Sequence, residues 1–341
     1  MTKTLLSLFS SNQPLKTPPI WLMRQAGRYL PEYKKTRSQA GSFLELCYNS
    51  ELAEEVTLQP IRRYQFDASI VFADILLIPQ ALGQKLWFEE GEGPRLDPIQ
   101  SADILDHKDL HKHLAPVYET LSRLSKSLPS ETTLIGFAGA PWTVASYMVA
   151  GRGTTDQAPA KALIQADREK FLDLINYLAD VTSDYLERQV HSGAEVLQIF
   201  ESWAGSLSGN DFEEFCIKPV FRIVKTLRDR GISVPIIGFP RATDYDLSTY
   251  VKETQINGLS VDQHCNLERL AANLDKDIVI QGNMAPEVLV AGGSNMYSEI
   301  DRICNMLQGR KHIFNLGHGI VPQTPPEHVA DMVHYIRKGH K

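Results

Sequence analysis

The chain has 341 residues, a net charge of −6, 43% hydrophobic and 22% charged residues. That balance fits a globular enzyme, and the negative sum argues against nucleic-acid binding, which needs a basic face. Cys47, Cys216, Cys265 and Cys304 are scattered without a C-x-x-C pair, and no run approaches the ~18 apolar residues of a membrane span, so a cytoplasmic protein that does not meet the membrane is expected.

Residues 1–18 read as an N-terminal arm whose one apolar stretch, residues 5–9, is too short for a secretory core. Residues 20–23 then form the first of eight short apolar runs and lead into Arg24-Gln25-Ala26-Gly27-Arg28. The two guanidiniums are four apart, and Gly27 permits a turn between them. Elsewhere such a pair would read as solvated surface; at a strand end it reads as a bidentate carboxylate binder. Ser50 is the expected cap of a helix that opens with Glu51, Glu54 and Glu55.

The second run, residues 69–73, ends at Asp74, a carboxylate among apolar neighbours and therefore costly unless paired. Its structural alternative is to accept backbone N–H bonds at the strand end. Residues 86–109, rich in Gly and Pro, read as a long loop insertion. The third run, residues 134–138, precedes a helix opened by Pro141 and carrying Tyr147; a helical tyrosine by itself reads as core. The fourth, residues 194–200, is followed by Glu201, Ser202 and Trp203, where Ser202 either donates to a carboxylate or caps.

Residues 210–213 resemble a capping box, and the helix after them places Phe212, Phe215, Cys216, Pro219, Ile223 and Leu227 on one face and stops at Gly231, making Cys216 a core thiol. Runs at 234–239, 256–262, 277–282 and 312–316 complete the eight, and the last ends at Gly317-His318-Gly319, where flanking glycines allow close ligand approach.

Continuous rather than alternating apolarity predicts strands covered on both faces, hence a parallel sheet. Strand and helix alternating eight times without a linker predict one (β/α)8 barrel of TIM type over residues 1–341, its active site at the C-terminal ends of the strands. A doubly wound sheet is less well supported, because no G-x-G-x-x-G follows a strand and Gly151-Arg152-Gly153 has the wrong spacing.

Two arginines and an aspartate at such ends ask for a substrate anionic at its edge and cationic, or rich in N–H groups, at its centre. His264 and Cys265 are adjacent, which is poor geometry for two ligands of one zinc ion, so no metal site is expected. No lysine stands at a strand end to form a Schiff base, and the sequence has neither a G-x-S-x-G elbow nor a P-loop. Three alternatives stay open on residues alone: a zinc-dependent methyltransferase on a related barrel, a carrier that binds such a substrate without turnover, and a metal-dependent lyase using Asp74, Glu201, Asp262 and His318.

The segment from Trp21 to Glu32, together with Leu58 to Arg63, Phe72 to Leu76, Gly139 to Thr143 and Asn315 to Gly319, closely resembles the signatures of the uroporphyrinogen decarboxylases, and the likeness runs from about Trp21 to Val329. The resemblance implies a homodimeric, cofactor-free enzyme of haem and porphyrin biosynthesis. Such enzymes convert the four acetate side chains of uroporphyrinogen III to methyls, giving coproporphyrinogen III and four CO2. It also implies substrate binding by Arg24, Gln25, Ala26, Gly27, Arg28, Asp74, Tyr147, Ser202 and His318, with Asp74 and Arg24 closest to the chemistry. On chemical grounds Arg28 and His318 are expected to hold carboxylates that do not react, since a firm grip on the departing one would stabilise the ground state. Trp203 falls where variation in pocket shape is expected.

Overall fold

The computed structural model describes residues 3–11, 13–89 and 93–339; Gly91 of the expected insertion lies outside them. The strands are β1 (Ala68–Ile70), β2 (Leu86–Glu89), β3 (Gly93–Leu96), β4 (Thr133–Gly139), β5 (Val196–Glu201), β6 (Ile236–Pro240), β7 (Gly258–Ser260), β8 (Val279–Met284) and β9 (His312–Leu316). Seven of them form one curled parallel sheet in the order β1-β4-β5-β6-β7-β8-β9, and β2 pairs with β3 in an antiparallel hairpin. Each step along the large sheet passes through helical crossovers, which parallel pairing requires.

The first apolar run does not form the eighth strand expected of it. Its segment makes one parallel bridge, Ile20 to Phe314, but bonds to both free edges of the sheet. Phe314 N–H donates to Pro19 O at 2.9 Å on one side, and Asp67 N–H donates to Ile20 O at 2.9 Å on the other. The ladder is short because side chains replace backbone acceptors. Ile20 N–H donates to the Asp67 carboxylate at 2.8 Å and Met23 N–H to Asn315 Oδ1 at 3.0 Å, while Pro19 has no N–H to give.

Alternation along the strands divides the core in two. Trp21, Met23, Ala68, Ile135, Val196, Ile237, Phe239, Val279 and Ile313 cluster on the inner face of the curl. A larger cluster packs the outer face against the helices. Leu5 and Leu8, fully buried on the helix Thr4–Ser10, join the inner cluster, so the N-terminal segment read as an arm closes one end of the curl. Inside it, Trp21 Nε1–H donates to Gln281 at 2.8 Å, and Gln281 in turn donates to Gln198 and Ser260, both at 3.1 Å. Cys216 is buried as expected.

Three local expectations need correction. Asn49, not Ser50, caps the helix Ser50–Tyr64, its side chain accepting the Leu52 N–H. The capping box at 210–213 does not form, because the helix already begins at Gly209 with Ser208 at its N-cap, which places Asn210 inside it; a wide turn, Glu213–Ile217, then leads into the helix Lys218–Asp229. The insertion carries the β2–β3 hairpin. Its Leu86 and Leu96 bury against Leu76, with Ile75 and Tyr147 packed alongside, so this segment is part of the wall beside Asp74.

Candidate active site

The expected site residues all lie beyond the carboxyl ends of strands or of the Ile20 segment. Arg24 adopts a left-handed backbone (φ 61°) immediately after that segment, a conformation that costs a non-glycine residue about 1 kcal/mol or more. Gln25 fixes the turn. It is buried, its Oε1 accepts Leu22 N–H at 3.2 Å and its Nε2–H donates to Ala68 O at 3.3 Å. Its side chain thus holds in place the turn that carries Arg24. Ala26 and Gly27 continue the turn, half-buried, to the exposed Arg28.

Asp74 follows β1. Its Oδ1 accepts the Leu76 N–H at 2.9 Å, and Oδ2 makes no hydrogen bond among the described residues. Burial pushes the Asp74 carboxyl up to about 6, opposed by the Leu76 N–H and by the positive charge of Arg24. Arg24 is close enough to exert that field, yet neither it nor Arg28 makes an ion pair or side-chain hydrogen bond among the described residues. A half-buried carboxylate and an exposed guanidinium thus stand near each other with no ion pair between them among the described residues, open to a ligand that meets both.

Tyr147, on the helix Pro141–Ala150, faces the same group. Burial raises its phenol, the Asp74 charge raises it further, and Arg24 opposes the rise, so the hydroxyl keeps its proton and can donate. Its ring lies 6.0 Å from that of Trp203. His318 completes the group. Burial, Arg24 and Arg241 together press its imidazole down to about 3. The expected carboxylate holder is thus neutral at physiological pH and acts through a ring N–H rather than a full charge.

Asp74, Arg24, Tyr147 and His318 therefore form one electrostatically coupled group. Arg28 and Ser202 stand outside it. Arg28 is exposed, its charge reaching Tyr33, and the half-buried Ser202 hydroxyl has no hydrogen-bond partner among the described residues. Two acids weighed as metal ligands are committed elsewhere. Thr143 Oγ1–H donates to Glu201, which is fully buried, and Asp262 accepts Ala242 N–H at 2.5 Å and His264 N–H at 2.8 Å.

Sequence reasoning missed Arg241. The fifth apolar run was closed at Phe239, one residue short of the end of β6, and Arg241 is the first charged residue beyond that strand.

The family model described as uroporphyrinogen decarboxylase (URO-D) matches residues 1–339. The chain belongs to the uroporphyrinogen decarboxylase family. Among curated members of that family, the uroporphyrinogen decarboxylase of Paracoccus denitrificans is 52% identical over 339 residues, covering 98% of this chain and 99% of its own. The one from Roseobacter denitrificans is 51% identical over 339 residues, covering 98% of each chain. Among solved structures, a methyltransferase from Methanosarcina mazei superposes with a TM-score of 0.79 over 98% of this chain and 99% of its own. At 17% identity that likeness speaks for a shared fold, and the methyltransferase alternative draws nothing more from it.

Proposed function

We propose that this protein decarboxylates the four acetate side chains of uroporphyrinogen III to give coproporphyrinogen III and four CO2, in porphyrin and haem biosynthesis, without a cofactor. The observation that carries the reading is the Asp74 Oδ2 beside the Arg24 guanidinium, neither with a hydrogen-bond partner among the described residues. Pyrrole N–H groups are the donors the carboxylate lacks, and peripheral carboxylates are the acceptors the guanidinium lacks.

A pyrrole acetate cannot lose CO2 directly, because the electron pair has nowhere to go. Protonation of a pyrrole ring carbon gives an iminium-like cation. The bond to the carboxyl carbon then breaks, its electron pair flows into the ring, and CO2 leaves an exocyclic methylene. A second proton turns the methylene into a methyl, and the ring carbon releases the first proton to restore the pyrrole. Each turn consumes one proton for each CO2 released from a carboxylate. The substrate is its own electron sink.

Asp74 stabilises the ring cation at close range, an effect of about 3–4 kcal/mol by comparison with oxyanion-hole donors. Arg24 positions the reacting acetate and its proton. Arg28, neutral His318, Tyr147 and Ser202 hold carboxylates that stay. The finer architecture belongs to the same proposal: the Ile20 segment is the eighth stave of a (β/α)8 barrel, supported by its bonds to both sheet edges. The same proposal includes a cytoplasmic homodimer that binds no nucleic acid, a reading supported by the acidic charge.

The test is anaerobic incubation with uroporphyrinogen III, without added metal or coenzyme, and separation of the oxidised products by carboxyl number. Porphyrins with seven, six, five and finally four carboxyls are expected. Bound but unaltered substrate would leave a carrier.

A further inference from the structure

Arg241 emerges from β6, the middle strand of the seven, whereas Arg24 follows the segment that bonds to the two outer edges. The two guanidiniums therefore rise from opposite sides of the curl, yet Arg241 is near enough to act on both Arg24 and His318. Its backbone is pinned. Arg241 N–H donates to Glu201 O at 3.1 Å, Arg241 O accepts Gly205 N–H at 3.0 Å, and Ala242 next to it is left-handed (φ 59°).

Its side chain is not pinned. Arg241 Nε is buried and has no hydrogen-bond partner among the described residues. The acid whose field it feels, Asp262, spends both oxygens on the N–H groups of Ala242 and His264. The loop holds a half-buried guanidinium near Arg24 and His318 with a buried Nε–H that no described residue accepts, and that donor is costly until an acceptor arrives.

We propose that Arg241 binds a carboxylate of the substrate that is retained through the reaction step, anchoring the macrocycle on the side opposite Arg24. This rests on the decarboxylase reading given above. A guanidinium with a buried, unpartnered Nε–H holds a carboxylate firmly in the ground state, which does not serve the one that must leave, so Arg241 acts in binding and not in bond breaking. The retained group is either a propionate or an acetate awaiting its turn, and coproporphyrinogen III, which keeps only the propionates, tells them apart.

Arg241→Met and Arg241→Lys are to be assayed with uroporphyrinogen III under anaerobic conditions, alongside product inhibition by coproporphyrinogen III. KM is expected to rise tenfold or more in Arg241→Met and less in Arg241→Lys, with kcat within about threefold of the parent. A parallel rise in the product inhibition constant assigns a propionate, and an unchanged constant assigns an acetate. Unaltered KM and product inhibition, or a fall in kcat at constant KM, overturns the proposal. Because the unliganded Nε–H has no partner among the described residues, thermal unfolding is expected at or above the parental temperature; if Arg241→Met fails to fold, Arg241→Lys carries the same comparison. A parent protein that leaves uroporphyrinogen III intact would overturn the decarboxylase reading itself, whereas an active parent with an indifferent variant overturns only the role of Arg241.

Discussion

The stem of Arg24 lies directly on Gly319: a Cβ added there would come within 2.4 Å of Arg24 Cδ and 2.6 Å of Cγ. Gly319 is not among the positive-φ glycines, so alanine suits its backbone and the conflict is with the arginine alone. Gly319→Ala should therefore displace Arg24 without unfolding the chain. The expected outcome is a fall in kcat/KM of about ten- to a hundredfold, since misplacement by about 1 Å has that effect on a positioned group, at an unchanged unfolding midpoint. A variant with full activity would show that Arg24 is not held where it is needed.

Arg24 itself occupies a backbone region that glycine enters freely. Arg24→Gly should abolish turnover and leave the unfolding midpoint equal to or above that of the parent, because relieved strain offsets the added chain entropy. Arg24→Lys separates binding from chemistry. If single-turnover decarboxylation falls further than substrate affinity, Arg24 takes part in the reacting step; weakened binding alone would confine it to holding the substrate.

Asp74 links function to stability. Its folded carboxyl, raised to about 6, binds its proton more tightly than in the unfolded chain. The stability this contributes is complete below the ordinary value of 3.8, falls as pH rises, and is lost by the time pH has passed about 6. The burden at higher pH is at most about 3 kcal/mol, and solvent reaching the half-buried carboxylate reduces it. Asp74→Asn should thus be more stable than the parent at pH 8 and nearly matched near pH 4, while decarboxylation drops by about 100- to 1000-fold. Urea midpoints at the two pH values and one activity assay decide it; lower stability at pH 8 would mean that the carboxylate is a structural cap.

The fold was largely legible because its strands are continuous apolar runs ending in polar residues, and the family motifs fell on those ends. What escaped depends on contacts between distant segments. The run at residues 20–23 has the composition of a strand, but Asp67 and Asn315 take the N–H groups of Ile20 and Met23 in place of backbone carbonyls. Gln25 sits inside the most recognisable motif, and only the fold shows its amide turned inward to Leu22 and Ala68. The hairpin in the insertion was hidden by its glycines and prolines, and its packing beside Tyr147 is a tertiary fact. Arg241 was the recoverable omission, since it is the first charged residue after the fifth run, the same position that marked Asp74 after the second.

Glu201 stands behind the site and titrates where it matters for handling the protein. Fully buried, its carboxyl is pushed up to about 8, against the lowering effect of hydrogen bonds from Thr143 and the Trp142 backbone. It is therefore neutral in the folded chain at pH 7 and ionised in the unfolded one. Unfolding releases a proton throughout the window from about 4.5 to 8, so stability should fall by up to about 1.4 kcal/mol per pH unit across it and level off above. Glu201→Gln removes that slope: near-parental stability at pH 5, a higher urea midpoint than the parent at pH 9. The amide oxygen still accepts from Thr143, and Thr143 Oγ1 still accepts the Trp203 N–H at 3.2 Å, so the turn carrying Ser202 keeps its place and activity should stay within about threefold. Thr143→Val breaks both bonds at once and should reduce activity where Glu201→Gln does not. Parallel pH profiles for parent and Glu201→Gln would mean that Glu201 is already ionised in the folded chain.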